Sequence, residues 1–229
     1  MTSQPMHPTK QPSRRAAERR RFARTRCALA LLGLSILAGA TAAGAAHGSP
    51  VQPTRVTVIG DSVTESLDYV PSARRYLGHG FDLPADALVC RRLVAASCSF
   101  HGAAPRTALQ VVDAQGHALG PVVVINVGYN DWAAVYDVDR MMRALRAAGV
   151  HTVIWVTLRE AGTYASIYKQ SNARIRSAGR KWRNSLVVAD WNRYSRSKPW
   201  FGSDGLHLTP TGAFGLAKLL RPLVLENAR

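Results

Sequence analysis

The chain has 229 residues, 47% of them apolar, and a formal net charge of +16. That length provides one domain of ordinary size with a proper core, plus an N-terminal extension, and the apolar share fits a globular protein. The cysteines show neither metal-ligand spacing nor a C-x-x-C pair, which argues against zinc and thioredoxin chemistry.

The charge is unevenly placed. Residues 1–26 carry Lys10, Arg14, Arg15, Arg19, Arg20, Arg21, Arg24 and Arg26 against Glu18. An apolar run from Cys27 to Ala38 follows, then small residues up to Ala46. A charged n-region, a short apolar h-region and an Ala-rich exit are the parts of a secretory signal peptide, with Ala43-Gly44-Ala45 as its cleavage site. Arg19-Arg20-Arg21-Phe22 also resembles a twin-arginine signal. An uncleaved membrane anchor is the alternative, because Cys27–Ala46 is about long enough to span a bilayer. The expected organisation is a signal over 1–46, a short lead-in over 47–53 and a domain over 54–229, secreted or held in the cell envelope. In that oxidising setting Cys90 and Cys98 are expected to form a disulfide, two buried thiols being the alternative.

Arg55–Ile59 reads as the first strand, and Val63–Leu77 as helical with a break or restart at Pro71. Phe81–Cys90 reads as a second strand after the turn Gly78-His79-Gly80, and residues 91–105 as a loop pinned by the cysteine pair. Thr107–Ala118 is expected to be helical. Pro121–Val127 is the clearest strand, its four consecutive apolar residues suggesting burial on both faces. Asp137–Ala148 forms an amphipathic helix closed by Gly149, and His151–Leu158 another buried strand. Tyr164, Tyr168, Ser171, Ile175, Ala178 and Trp182 mark one side of a long helix. Leu186–Ala189 is a last short strand and Thr209–Leu225 a last helix. Strand and helix alternating with short links indicate an α/β domain, a parallel sheet covered by helices on both faces. Sites in such open sheets form at the C-terminal ends of the strands.

Three short stretches converge on one reaction. Gly60-Asp61-Ser62 and Gly128-Tyr129-Asn130-Asp131 lie at strand ends, and Asp204-Gly205-Leu206-His207 precedes the last helix. A serine hydroxyl is a weak nucleophile until a base takes its proton, and an imidazole can serve near neutrality. A carboxylate must then orient that ring, and Asp204, three residues before His207, is placed to do so locally. Candidate oxyanion donors are the Ser62 N–H, the Asn130 side-chain amide and a backbone N–H around Gly102. The bland readings are a helix cap for Ser62, turn chemistry for Asn130 and Asp204, and a surface role for His207. Asp131 reads as structural, and Glu65, His79, His101, His117 and His151 receive no role. Ser62 has no G-x-S-x-G elbow around it, and neither a dinucleotide loop nor a Walker lysine follows.

Taken together in this order, the three blocks resemble those of the SGNH hydrolases, the GDSL-type esterases, over the whole mature domain. The resemblance implies a three-layer α/β/α, flavodoxin-like domain with a central parallel five-stranded sheet, and a serine esterase with no cofactor and no metal. It makes Ser62 the nucleophile, His207 the base, Asp204 its orienter and Asn130 an oxyanion donor. The second block departs from the family pattern, which places an oxyanion glycine after an Asn-x pair. Here the nearest glycine is Gly102, in Ser99-Phe100-His101-Gly102-Ala103.

The expected activity is hydrolysis of small acyl esters through an acyl-enzyme, on O-acetylated polysaccharide or lipid acyl esters. An acyltransferase using the same residues, and a non-catalytic envelope-binding module, are the alternatives. Lys169–Lys198 is strongly basic and reads either as a solvated helix face or as a contact for an anionic envelope surface. Nucleic acid is not expected as a partner, and the protein is expected to be a monomer. Trp191, Trp200 and Phe201, close to Asp204 in sequence, shape an acyl or sugar pocket or else belong to the core.

Overall fold

The β-branched run that precedes Gly60 is strand β1 (Val56–Gly60), and every one of its residues is buried. The structure, a computed structural model, describes residues 52–228, which lie within one unit spanning 49–229. The expectations for the signal segment, the twin-arginine motif, Cys27 and most of the lead-in lie outside the described residues. Among the described residues no helix is long and apolar enough to cross a membrane.

Strands β2 (Ala85–Ala87), β3 (Val122–Asn126), β4 (Thr152–Val156) and β5 (Leu186–Ala189) join β1 in a five-stranded sheet of order β2-β1-β3-β4-β5. All four pairings are parallel. The chain therefore runs outward from β1 to β2, then returns past β1 to build the other side. The strand order reverses between β1 and β3, the place where open α/β sheets leave a crevice. Gly60 pairs with Asn126 across that boundary, so the segments leaving both strands start side by side.

Both faces are covered, as a parallel sheet requires. Val56, Val58, Val122, Val124, Ile154 and Val156 point to one face. They pack against α1 (Ser66–Tyr69), α2 (Pro71–Gly78) and α7 (Pro210–Asn227). Ile59, Val123, Ile125, Val153 and Trp155 point to the other. These meet α3 (Ala108–Gln115), α4 (Val138–Ala147) and α5 (Ala165–Lys181). The result is the expected three-layer α/β/α, flavodoxin-like arrangement. Local signals account for the boundaries. Pro71 opens α2, Thr107 and Gln110 form a reciprocal capping box on α3, and Asp137 and Thr209 cap α4 and α7.

Three expectations change. The second strand spans three residues rather than Phe81–Cys90, because Pro84 has no N–H for the ladder and the chain turns away after Ala87. That turn is closed by Arg91 N donating to Leu88 O, and Cys90 within it has a φ of 68°, which excludes a continued strand. Helix α5 starts at Ala165, so Tyr164 stands outside it and is half-exposed rather than on its buried side. A short helix α6 (Trp191–Ser195), too short to show a periodic signal, follows β5 and is capped by Asp190.

Part of the basic segment is neutralised within the fold. Arg176 pairs with Asp190 at 3.2 Å, and Lys181 with Asp139 at 2.7 Å.

Gly60 is fixed by a close approach rather than by its dihedrals. A Cβ built on it would lie 2.2 Å from Thr64 Cβ, and Thr64 is tied down by donating from Oγ1 to Asn126 O at 3.0 Å. Gly60→Ala is therefore expected to lower stability by about 1–3 kcal/mol, the usual cost of overpacking a fixed core. Urea unfolding followed by circular dichroism measures this, and a wild-type midpoint in the variant would contradict the packing argument.

Candidate active site

Asp61 follows β1 directly and is fully buried, so its charge must be met by fixed partners. Its Oδ1 accepts from Val63 N at 3.1 Å. Its Oδ2 accepts from Gly128 N and Tyr129 N, both at 3.0 Å. The carboxylate thus ties the turn after β1 to the turn after β3. Burial pushes its pKa up to about 6, against the pull of these three backbone donors. Gly128 is needed where it stands. Its φ is 151°, and a Cβ there would come within 2.8 Å of Leu158 Cδ1.

Ser62 emerges from this clamp partly exposed, with its Oγ 3.0 Å from His207 Nε2. His207 Nδ1 in turn bonds Asp204 Oδ2. A carboxylate only accepts, so the ring proton sits on Nδ1 and Nε2 is left to accept from the serine hydroxyl. Asp204 Oδ1 also accepts from Leu206 N at 2.9 Å and His207 N at 3.0 Å, which folds the four residues into one turn. The loop is anchored by Gly202 N donating to His207 O at 2.8 Å, and by a bridge between Phe201 and Leu208. Partial burial disfavours the Asp204 charge, but the bonds from the His207 ring and the two backbone N–H groups outweigh it and hold its pKa at about 2. Asp204 is thus a carboxylate at any ordinary pH.

Asn130 reaches the same edge from β3. Its Nδ2 donates one hydrogen to Arg91 O at 3.2 Å, leaving the second free, and its own backbone oxygen accepts from Arg92 Nε at 2.8 Å. Among the described residues the Ser62 N–H has no hydrogen-bond partner. The Ser62 N–H and one Asn130 Nδ2 hydrogen are therefore both unengaged among the described residues. Among the described residues no group of three or more His, Cys, Asp or Glu side chains is placed to hold a metal ion.

The sequence reading passed over Arg91, which organises the loop beside Asn130. It is 1% exposed, and it donates from Nη2 to Asp86 Oδ1 at 2.7 Å, from Nε to Arg106 O at 3.0 Å, and from Nη1 to Asp86 O and Gly60 O. A buried guanidinium with this many acceptors is affordable, and it locks β1, β2 and the loop together. A disulfide joins Cys90 and Cys98 around it, with the Cα atoms 5.0 Å apart. Nothing in composition separates Arg91 from its neighbour Arg92. Only the pairing with Asp86 does.

Gly102 is not brought into this constellation. It sits in a tight exposed turn closed by Phe100 and Ala103, which bond each other's backbones in both directions, and nothing lies within 4 Å of where its Cβ would be. The backbone next to Asn130 comes instead from the Leu88–Arg92 turn, which the early end of β2 places there. Trp191 is core, 1% exposed and stacked on Trp200 at 5.8 Å. Phe201 lies under the Arg159 guanidinium at 3.6 Å. Trp200 lines a surface cavity with Val70, Pro210 and Phe214, and none of the three lines the cleft beside Asn130. The aromatics beside Asn130 are Tyr129, Trp132, Tyr164 and Tyr168, which line one cleft with it.

Neither a protein-family model nor a curated protein sequence matches the chain. Solved structures do match its fold. The C-terminal catalytic domain of peptidoglycan O-acetyltransferase A from Streptococcus pneumoniae aligns with a TM-score of 0.56 at 20% identity, over 77% of this chain and 95% of that one. A carbohydrate acetylesterase family member from Sinorhizobium meliloti aligns at 0.57 and 19% identity, over 76% and 99%. A lipolytic protein of the G-D-S-L family from Veillonella parvula aligns at 0.55 and 12% identity, over 75% and 98%. The structural neighbours are thus SGNH/GDSL-type hydrolases, and the resemblance drawn from the three blocks holds at the level of the fold.

Asp131 is the structural residue the sequence suggested. Both of its oxygens accept from Leu93 N, at 3.2 and 3.1 Å, and burial pushes its pKa up to about 7, with the Asp61 charge adding to the rise and Arg92 opposing it. A carboxyl whose folded pKa exceeds its unfolded value binds its proton more tightly when folded, so stability falls as pH rises from about 4 to about 7. Asp131→Asn keeps an oxygen for Leu93 N but cannot ionise. The decline in unfolding free energy over that window is expected to become shallower by at most about 1.4 kcal/mol per pH unit, with Asp61 still contributing. Urea titrations at three pH values test this, and identical slopes in the two proteins would exclude it.

Proposed function

We propose that the protein is a serine esterase working through an acyl-enzyme, with Ser62 as nucleophile, His207 as base and Asp204 as the group that orients the imidazole. The observation that carries this is the unbroken hydrogen-bonded row from Ser62 Oγ to His207 and on to Asp204. As Ser62 Oγ attacks an ester carbonyl, its proton passes to His207 Nε2 and the carbonyl becomes a tetrahedral oxyanion. The imidazolium so formed stays paired with the Asp204 carboxylate. The Ser62 N–H and the free hydrogen of Asn130 Nδ2 receive the oxyanion. Collapse expels the alcohol, which takes its proton from His207, and leaves the acyl group on Ser62. Water, activated by the same imidazole, then releases the acid and restores the serine. Gly102 has no part in this scheme.

The acyl group is read as acetyl, on a polysaccharide, or else as a lipid acyl chain. The site is read as acting outside the cytoplasm, given the N-terminal pattern of a basic stretch and an apolar run. The basic residues between Lys169 and Lys198 that lie outside the internal ion pairs are read as facing an anionic envelope polymer. Transfer of the acyl group to a sugar hydroxyl instead of water is the second reading, favoured by the likeness to the O-acetyltransferase catalytic domain. It uses the same residues, and product analysis with a saccharide acceptor present separates the two.

Ser62→Ala is expected to abolish both p-nitrophenyl acetate hydrolysis and covalent labelling by a fluorophosphonate, while the far-ultraviolet circular dichroism stays unchanged. Labelling that persists in the variant would take the nucleophile's role away from Ser62, and a wild-type protein that neither labels nor hydrolyses would leave a non-catalytic binding module. Asn130→Ala is expected to lower turnover by roughly 10²–10³, the usual cost of losing one oxyanion donor.

A further inference from the structure

The cleft beside Asn130 has a volume of about 210 Å³, below the ~300–1,000 Å³ of pockets that hold drug-sized molecules, so it suits a single ring-sized group. Trp132 and Tyr164 flank it, 54% and 51% exposed. Their ring centroids lie 6.2 Å apart and their planes at 84°, which makes an aromatic corner open to solvent. Two large aromatic side chains left this exposed and adjacent form a surface that gains by being covered.

What covers it is decided by the other walls. Asn130 and Asp131 form one side, Tyr129, Tyr168 and Cys98 add to the wall, and Ile167 is the one aliphatic residue in the lining. Arg92 spends Nε on Asn130 O and Nη1 on Ala96 O at 3.1 Å, and among the described residues its Nη2 has no hydrogen-bond partner. A lipid chain needs an enclosed aliphatic channel, which this lining does not supply. A pyranose ring has an apolar C–H face for the indole and hydroxyl oxygens for a guanidinium, and it matches the mixed lining. Asn130 lines the cleft and follows β3, the strand paired with the one that leads into Ser62, so a ring held here lies on the sheet edge that carries the serine.

We propose that this cleft binds the sugar ring of the substrate, so that the ester cleaved is an O-acyl group on a carbohydrate, with Trp132 and Tyr164 as specificity-determining residues and Arg92 Nη2 as donor to a ring hydroxyl. This rests on the Ser62 esterase reading for the chemistry, but not for the binding. Because Trp132 and Tyr164 lie largely outside the core, their replacement leaves the fold intact.

The test compares 6-O-acetyl methyl glucoside with vinyl acetate, an ester that has no ring. In Trp132→Ala and in Tyr164→Ala the ratio of kcat/KM for the sugar ester to that for vinyl acetate is expected to fall about tenfold, through KM, and Trp132→Phe should restore most of it. An unchanged ratio in both alanine variants overturns the assignment. Saturation-transfer NMR with N-acetylglucosamine tetramer, on wild type, Ser62→Ala and Trp132→Ala, reads binding without chemistry. Transfer to the ring protons in the first two proteins and its loss in the third is the expected result. If the wild type hydrolyses neither ester, the esterase reading fails and this binding pattern still decides the cleft. No transfer to wild type, or equal transfer to Trp132→Ala, overturns it.

Discussion

An ionisable side chain with no access to water sits where the two central strands of the sheet end, and it is held there by backbone donors from both. Asp61 cannot be hydrated, so its position is set by where Val63, Gly128 and Tyr129 present their N–H groups. Conversely, those three amides are fixed because an unmet donor facing a buried carboxylate is costly. Asn126 O adds to the same knot by accepting from Asp61 N and from Thr64 Oγ1. The glycines on either side allow the two chains to come this close. The direction in which Ser62 points follows from that junction, because the serine is its next residue along.

The rest of the site divides by the element that carries it. Ser62 and Asn130 are carried by the sheet, with Arg91 bracing the loop between them from below. His207 and Asp204 are carried by a half-exposed loop that the chain reaches only after passing through every strand. Ser62 and Asn130 stand in the turns that leave β1 and β3, close to the strand ends that fix them.

Much of this was legible in the sequence, for identifiable reasons. The apolar runs of β1, β3 and β4 are too β-branched and too short for anything but buried strands, and the Gly, Pro and Asp punctuation located the turns. Ser62, Asn130, Asp204 and His207 stand out in the sequence because each lies at a strand end or beside the last helix, in a pattern of three blocks. What failed depended on contacts distant in the chain. The shortness of β2 follows from its place at the sheet edge and from the turn around Cys90. Gly102 was chosen as the nearest glycine in sequence, while the fold brings Arg91 next to Asn130 across 39 positions. Trp191 and Trp200 lie near Asp204 along the chain yet stack on each other beneath α7, whereas Trp132 and Tyr164 meet only because β3 and β4 are neighbours. Helical periodicity assigned Tyr164 to a buried face, and a helix that starts one residue later leaves it free.

Asp204 and the His207 imidazole that bonds it are three residues apart in one turn, and that turn holds itself together through Asp204. Any excursion of the loop carries both groups as a unit. Their mutual alignment survives such a movement, and the contact it breaks is the single one to Ser62 Oγ. An opening of the loop would therefore make or break one contact at Ser62 Oγ, with no need to rebuild the acid–imidazole pair on each return. In proteins whose orienting carboxylate comes from a separate strand, the same excursion would have two bonds to re-form. Here the reset is one bond long.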